Sequence, residues 1–267
     1  MTWQMVAVGF VSYLALASLT RREFQPARRR LMAAALLGWS AFAASIAAGR
    51  YGAALPPIPQ VLLPALVLLA GYWLSGLLFV RTDVRIENWL RRTDDAMLGR
   101  TGVLAWFHGA PRVIAEYFEL SYLLVYLVVP AGAVTLALSG HLDRVPHFWA
   151  TVLLAEFACY GMLPWIQTRP PRVFADAAGG RPPRDVVRRI NLGVANRASI
   201  QANTIPSGHA AGAMAVALAV GSTLPAAGVV FLFLALSIAV ATVLGRYHYA
   251  VDSVLGVLVA IAVWTIV

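Results

Sequence analysis

The chain has no lysine: all 21 of its basic residues are arginine. Charge of any kind is scarce, at 12% of residues, about half of what a soluble domain carries. Cysteine is nearly missing as well. Cys159 stands alone in an apolar run, which excludes an internal disulfide and any cysteine cage for a metal. The twelve acidic residues form no cluster with metal-ligand spacing, and no internal repeat or low-complexity tract breaks the chain. These shortages exclude a disulfide scaffold, a disordered polymer and an ordinary water-soluble enzyme. The formal charge of +9 is no nucleic-acid footprint until the arginines are placed.

What the chain has in excess is hydrocarbon: 60% of its 267 residues are hydrophobic. Eight apolar runs approach the roughly 20 residues that a helix needs to cross a bilayer. They are Trp3–Leu19, Leu31–Gly49, Ile58–Val80, Val113–Leu138, Pro146–Gln167, Ser207–Leu224, Ala226–Leu244 and Tyr249–Val267. Inside lipid each segment must satisfy its own backbone hydrogen bonds, so runs of this length are read as helices. The expected fold is an all-α, polytopic membrane helix bundle of about eight spans.

The arginines carry the orientation. Nineteen of the 21 fall in the first, third, fifth and seventh connections between these runs. Basic residues collect in cytoplasmic loops, so these connections are expected in the cytoplasm and both termini outside. Arg21 and Arg22 follow the first run and no basic residue precedes it, the wrong polarity for a cleavable signal peptide. Two long connections also carry apolar stripes at helical spacing. Ile86, Trp89, Leu90 and Met97 form one; Val186, Val187, Ile190 and Val194, with Asp185 as N-cap, form the other. Such basic amphipathic helices either lie among anionic lipid headgroups or pack on their own protein.

Three polar stretches flank the predicted cytoplasmic ends of the last four spans: Gln167–Arg172, Asn203–His209 and Gly245–Asp252. Pro206 suits a first helical turn, and Ser207 and Gly208 present a hydroxyl and N–H groups at the positive end of the helix that follows. His209 lies just inside that turn. His248 and Asp252 are four apart, so on a helix they share a face, and a carboxylate there can set the imidazole tautomer and free the other nitrogen for attack. Arg169, Arg172 and Arg246 are permanently charged forks suited to phosphate oxygens. Together these residues describe a phosphoryl-transfer site.

The order Arg-Pro, then Pro-Ser-Gly-His, then His-x-x-x-Asp resembles the type-2 phosphatidic acid phosphatase superfamily, the lipid phosphate phosphatases, over roughly Ile58 to Val267. The resemblance implies a six-span core over residues 58–267, with active-site loops at 81–112, 168–206 and 245–250, preceded by a two-span addition over residues 1–57. It implies His248 as the nucleophile that becomes a phosphohistidine, Asp252 as its orienting partner and His209 as the acid that protonates the leaving alcohol. Arg169, Ser207 and Gly208 would hold phosphate oxygens, with no metal and no cofactor. The chain departs from the family pattern at two positions: Met162 stands where a lysine is usual, and Ala241-Thr242 where Ser-Arg is usual. Arg172 and Arg246 are the nearest cations to replace them. The His-Tyr-x-x-Asp spelling is also similar to inositol phosphorylceramide and sphingomyelin synthases, which pass a headgroup to an alcohol.

The expected function is therefore a membrane-embedded lipid phosphatase acting through a phosphohistidine. A lipid phosphotransferase and a catalytically inactive lipid-binding or transport protein are the alternatives. The implied partners are a lipid phosphate and membrane lipids, anionic ones included, and not nucleic acid; the implied location is a bacterial inner membrane, with the site facing the cytoplasm. Glu116 and Glu119 are expected to pair with Arg112 or a neighbouring arginine. Glu156 is a third acid at membrane depth, and such groups are functional candidates by default. His108, His141 and His147 have no partner pattern, and Tyr247 and Tyr249 are expected in the interfacial aromatic belt.

Overall fold

The computed structural model describes residues 2–50, 56–177 and 186–267, and among them the only regular elements are helices, with one isolated bridge pairing Thr168 and Asn203. In chain order they are α1 (Trp3–Thr20), α2 (Gln25–Arg50), α3 (Pro57–Gly76), α4 (Val84–Asp94), α5 (Val103–Gly109), α6 (Arg112–Leu123) and α7 (Val125–Leu138). Then follow α8 (Val145–Tyr160), α9 (Arg172–Ala177), α10 (Val186–Ala198), α11 (Gly208–Gly221), α12 (Pro225–Leu244) and α13 (Ala250–Ile266). The protein is an all-α bundle, and each of the eight apolar runs holds a helix.

Length divides these helices. The first three helices and α12 are long and apolar enough to cross a membrane, and a fifth candidate is α6 with α7, bent by 59° at their junction. The bend replaces the single helix expected over Val113–Leu138. It separates a half with polar groups (Glu119, Ser121 and Tyr122 buried) from a half that buries apolar side chains and glycine. At 1.5 Å per residue α8, α11 and α13 reach only about 24, 21 and 25 Å, less than a hydrocarbon layer of roughly 30 Å. For α8 and α11 the reason is position: neighbouring helices enclose them, and most of their residues are buried.

At the centre stands α11, packed against α7, α8, α12 and α13. Most of its buried residues are Ala or Gly, and small side chains let helix backbones approach where no water drives them together. A Cβ on Gly208 would strike the Tyr160 ring, and one on Gly212 the Glu156 carboxyl, so both glycines on this face are required by close approach.

The first helix belongs to this core. Phe10 stacks on Phe157 of α8 with ring centroids 4.1 Å apart, and the Tyr13 hydroxyl donates to the Gly161 carbonyl at 2.5 Å. Helix α2 packs chiefly on α1 and leaves Leu36, Leu37 and Trp39 exposed.

Candidate active site

The three polar stretches meet through their backbones. The Asn203 N–H donates to the Thr168 carbonyl at 2.7 Å, the Arg172 N–H to the Arg246 carbonyl at 2.9 Å and the Ser207 N–H to the Asp252 carbonyl at 2.9 Å. These bonds join the end of α8 to the starts of α11 and α13. His209 and His248 thereby come within 5.4 Å between ring centroids, close enough for one tetrahedral phosphoryl group to touch both. His209 stacks in parallel on Tyr122 at 5.5 Å, and Tyr122 stacks on Tyr247 at 3.6 Å.

His248 precedes α13 and is buried, its N–H donating to the Thr242 carbonyl at 2.9 Å. Burial, and after it the positive charge of Arg172, lowers the His248 imidazolium from its ordinary value to about 3, so the ring is neutral at physiological pH. Its Nδ1 lies 3.7 Å from Asp252 Oδ2 and has no hydrogen bond among the described residues. That separation exceeds a hydrogen bond. The fully buried Asp252 carboxylate is instead held on Oδ2 by the Asn203 side-chain amide at 2.8 Å and the Tyr249 N–H at 3.1 Å. Asn203 also binds the Thr168 hydroxyl at 3.2 Å, so it is a positioning residue missed by the sequence reading. Its signal was its place at the head of the Asn203–His209 stretch.

The three candidate phosphate-binding arginines beside these have different environments. Arg172 is only 6% exposed, and its charge acts on both histidines and on Tyr72, Tyr122 and Tyr126. No carboxylate among the described residues pairs with it. Arg169 is committed elsewhere: its Nε and Nη2 grip the two oxygens of buried Glu87 at 3.0 and 2.9 Å, and its backbone N–H adds a third bond at 2.9 Å. Arg246 sits 3.7 Å from Asp94 in a separate polar cavity with Arg91, Arg92 and Asn88. Burial pushes the Asp94 carboxyl up, against the Ala250 N–H and Arg246, which hold it down.

The start of α11 is already partly filled by the protein. Ser207 Oγ accepts from the Ala210 N–H at 3.4 Å, Thr204 Oγ1 accepts from the Gly208 N–H at 3.4 Å, and the Ser207 N–H is spent on Asp252. Of the positions that depart from the pattern, Met162 is part-exposed in the turn after α8, and Thr242 is buried, its hydroxyl donating to the Ala239 carbonyl at 2.7 Å. Of the two candidate replacement cations, Arg172 is the one whose charge acts on both histidines, and Arg246 lies against Asp94.

Next to His209 opens a cavity of about 370 Å³ between α3, α7, α8, α10 and α11. Its walls are largely hydrocarbon from Leu68, Leu69, Val125 and Val129, with the polar exceptions Tyr72, Tyr126, Tyr160, Glu156, Ser199 and His209. Leu69, Trp73 and Tyr126 are exposed at its margin, so it communicates with the outside of the bundle between α3 and α7.

Several expectations change here. Tyr247 and Tyr249 are 2% and 1% exposed, not interfacial, because each phenol has an internal partner: Glu119 at 2.8 Å and the Arg169 carbonyl at 3.2 Å. Glu119 does pair with an arginine, Arg188 at 2.8 Å, and also accepts from the Asn191 side chain at 2.7 Å; Glu116 pairs with Arg112 at 3.3 Å. In α10 the packed face is therefore Asn191 and Ala195, while Val186 and Ile190 of the expected stripe are exposed. Asp185 falls outside the described residues. In α4 Leu90 packs on Ile205 and Tyr249 while Trp89 points out. Among the described residues no three His, Cys, Asp or Glu side chains converge in a way that could hold a metal.

Glu119→Ala would strand half-buried Arg188 with the buried Asn191 and Tyr247 groups, and breaking a buried pair costs about 3–5 kcal/mol. The expected result is a melting temperature lowered by roughly 6–20 °C for a chain of this size, read by thermal unfolding in detergent. A shift under 2 °C would show the network to be dispensable.

A profile of the PAP2 superfamily matches residues 88–266. The chain belongs to the PAP2 superfamily. The matched segment runs from within α4 to the end of α13 and contains all three polar stretches. Membership makes this PAP2 superfamily protein a phosphoryl-transfer enzyme of phosphatase type, whose long apolar helices are compatible with multiple membrane crossings. No curated protein and no solved structure matches it.

Proposed function

We propose that this protein is an integral membrane lipid phosphatase that works by double displacement through His248. The observation that carries the reading is Arg172: a buried guanidinium that no carboxylate among the described residues pairs with, whose charge acts on two histidines beside an apolar cavity. A buried cation is costly unless an anion joins it, and a phosphate monoester supplies that anion with its tail in the adjoining cavity. In the first step the lone pair of His248 Nε2 attacks phosphorus and the bond to the lipid oxygen breaks. His209 passes a proton to that leaving oxygen and takes one from the phosphate, which binds as its monoanion. In the second, water attacks the phosphohistidine, its proton travels through His209 to the departing phosphate, and inorganic phosphate leaves with both histidines neutral again. Asp252 stabilises the imidazolium character that develops at Nδ1, and contacts of this kind tighten when substrate is bound.

Arg21 lies over the Trp165 ring at 5.7 Å, and the Glu87–Arg169 pair joins the two longest arginine-rich connections, so the arginine-rich ends gather on the site's side. Basic residues collect in cytoplasmic loops, which supports a cytoplasm-facing site. The exposed Val186 and Ile190 beside Arg189 suit contact with anionic lipid.

The test is to incubate purified protein in detergent with a long-chain alkyl phosphate, with and without an alcohol acceptor, and to quench in acid and in base. Phosphate release without an acceptor, through an acid-labile phosphoenzyme, is the expected result. Headgroup transfer that requires the alcohol would make the protein a transferase. Neither product nor phosphoenzyme would leave only a lipid-binding bundle.

A further inference from the structure

Glu156 has no part in that chemistry, yet it lies in the same cavity. It is 5% exposed, one turn before the end of α8, and it lines the same pocket as His209. The Tyr160 hydroxyl, one turn further along α8, donates to Oε2. Oε1 receives no hydrogen bond among the described residues, and it sits against Gly212 of α11. Gly212 is three residues beyond His209 on α11, which places the carboxyl about 4.5 Å deeper along the helix than the histidine.

The glycines give the arrangement a purpose beyond packing. Any side chain at Gly208 would strike Tyr160, and any at Gly212 would strike Glu156, so α11 is recessed to admit this pair at the cavity wall. Leucine at 156 would satisfy hydrocarbon surroundings at no desolvation cost, whereas an acid there has to be hydrogen-bonded. Tyr160 meets one oxygen, and the second is left beside space that a substrate tail would fill.

We propose that Glu156 is a specificity-determining residue that accepts a hydrogen bond from a hydroxyl or amide N–H carried on the first few carbons of the lipid phosphate's tail. The proposal rests on the lipid phosphatase reading for the placement of the phosphate between His209, His248 and Arg172. The preferred substrate class is then a long-chain phosphate with a polar donor close to its ester, and a plain hydrocarbon phosphate is the poorer ligand. A site that hydrogen-bonds a substrate group rejects the analogue lacking it more strongly than a hydrophobic wall discriminates one methylene, since its own buried acceptor is then stranded.

The experiment compares two alkyl phosphates of equal chain length, one with a hydroxyl or amide N–H on carbon 2 or 3 and one without. Phosphate release and equilibrium binding are both measured for wild type, Glu156→Gln and Glu156→Leu. Wild type should favour the donor-bearing compound by about ten- to a hundredfold in kcat/KM and in Kd. Glu156→Gln, which keeps an acceptor and the shape, should retain the preference. Glu156→Leu should abolish it because the stranded acceptor is gone: turnover of the plain alkyl phosphate should rise to within about threefold of the donor-bearing compound's, a difference worth under 1 kcal/mol. Equal handling of both compounds by wild type, or a preference that survives in Glu156→Leu, overturns the proposal. So does an equal loss on both compounds in Glu156→Leu, which would mark Glu156 as a packing group. If neither compound is hydrolysed, the phosphatase reading has failed, and the binding ratio alone then decides whether Glu156 reads the donor.

Discussion

His248→Ala should lower phosphate release by about four orders of magnitude or more and abolish the acid-labile phosphoenzyme, with the melting temperature little changed. The size follows from the role: removing a nucleophile forfeits the covalent route, and what remains is the catalysis that binding and charge stabilisation still provide. The fold should tolerate the change because the imidazole makes no hydrogen bond among the described residues; the structural bond at this position is made by the His248 backbone N–H, which alanine keeps. The pH profile tests the same residue from another side. Since burial and Arg172 hold His248 near 3, it stays deprotonated and nucleophilic down through the mildly acidic range. The free-enzyme profile, kcat/KM against pH, should therefore show no acid limb from His248 near 6.5. A limb at 6.5 that disappears in His248→Ala residual activity would contradict the burial of this ring. Full activity in His248→Ala would remove it from the chemistry altogether.

The second large effect separates two arginines that sequence treats alike. Arg172→Ala should reduce kcat/KM by about a hundred- to a thousandfold, the usual cost of deleting one preorganised group that stabilises charge in the transition state. Arg172→Lys should restore part of it, as a point charge lacks the planar fork. Arg169→Ala should act differently. Its guanidinium serves buried Glu87, so the loss should fall first on stability, about 3–5 kcal/mol for an uncompensated buried charge, and should be relieved in the double variant Arg169→Ala with Glu87→Gln. The discriminating measurement is a pair of readings, kinetics with the phosphate substrate and thermal unfolding, on each variant. A stable Arg169→Ala protein with the larger kinetic defect would reverse the assignment and return Arg169 to the phosphate.

How far the sequence was readable varies with the range of the interaction involved. Helices over all eight apolar runs were legible because hydrocarbon surroundings leave a backbone no other way to pair its N–H and C=O groups. The Pro-Ser-Gly-His and His-x-x-x-Asp stretches were legible too, since a first-turn proline and an i, i+4 pair are local statements. Less legible was the partner of each charge. Arg169, Arg172 and Arg246 lie within one basic set, yet one is clamped by Glu87 from α4, one has no carboxylate partner among the described residues and one faces Asp94. Those acids lie tens of residues away or more in the chain, and no spacing rule connects them. Tyr247 and Tyr249 were misplaced for the same reason: amphipathic side chains near a span end go to the interface unless something internal takes the hydroxyl, and Glu119 and the Arg169 carbonyl do so.

Composition, arginine placement and three short stretches thus determined the class of molecule and the neighbourhood of its chemistry, because each depends on residues close together in the chain. Tertiary structure alone decided which cation has no carboxylate partner among the described residues, that Asn203 holds Asp252, and that α11 is recessed at Gly208 and Gly212 around Tyr160 and Glu156. Ion pairing and close packing are settled by whichever groups the bundle brings within a few ångströms, and that proximity exists only once the helices have assembled.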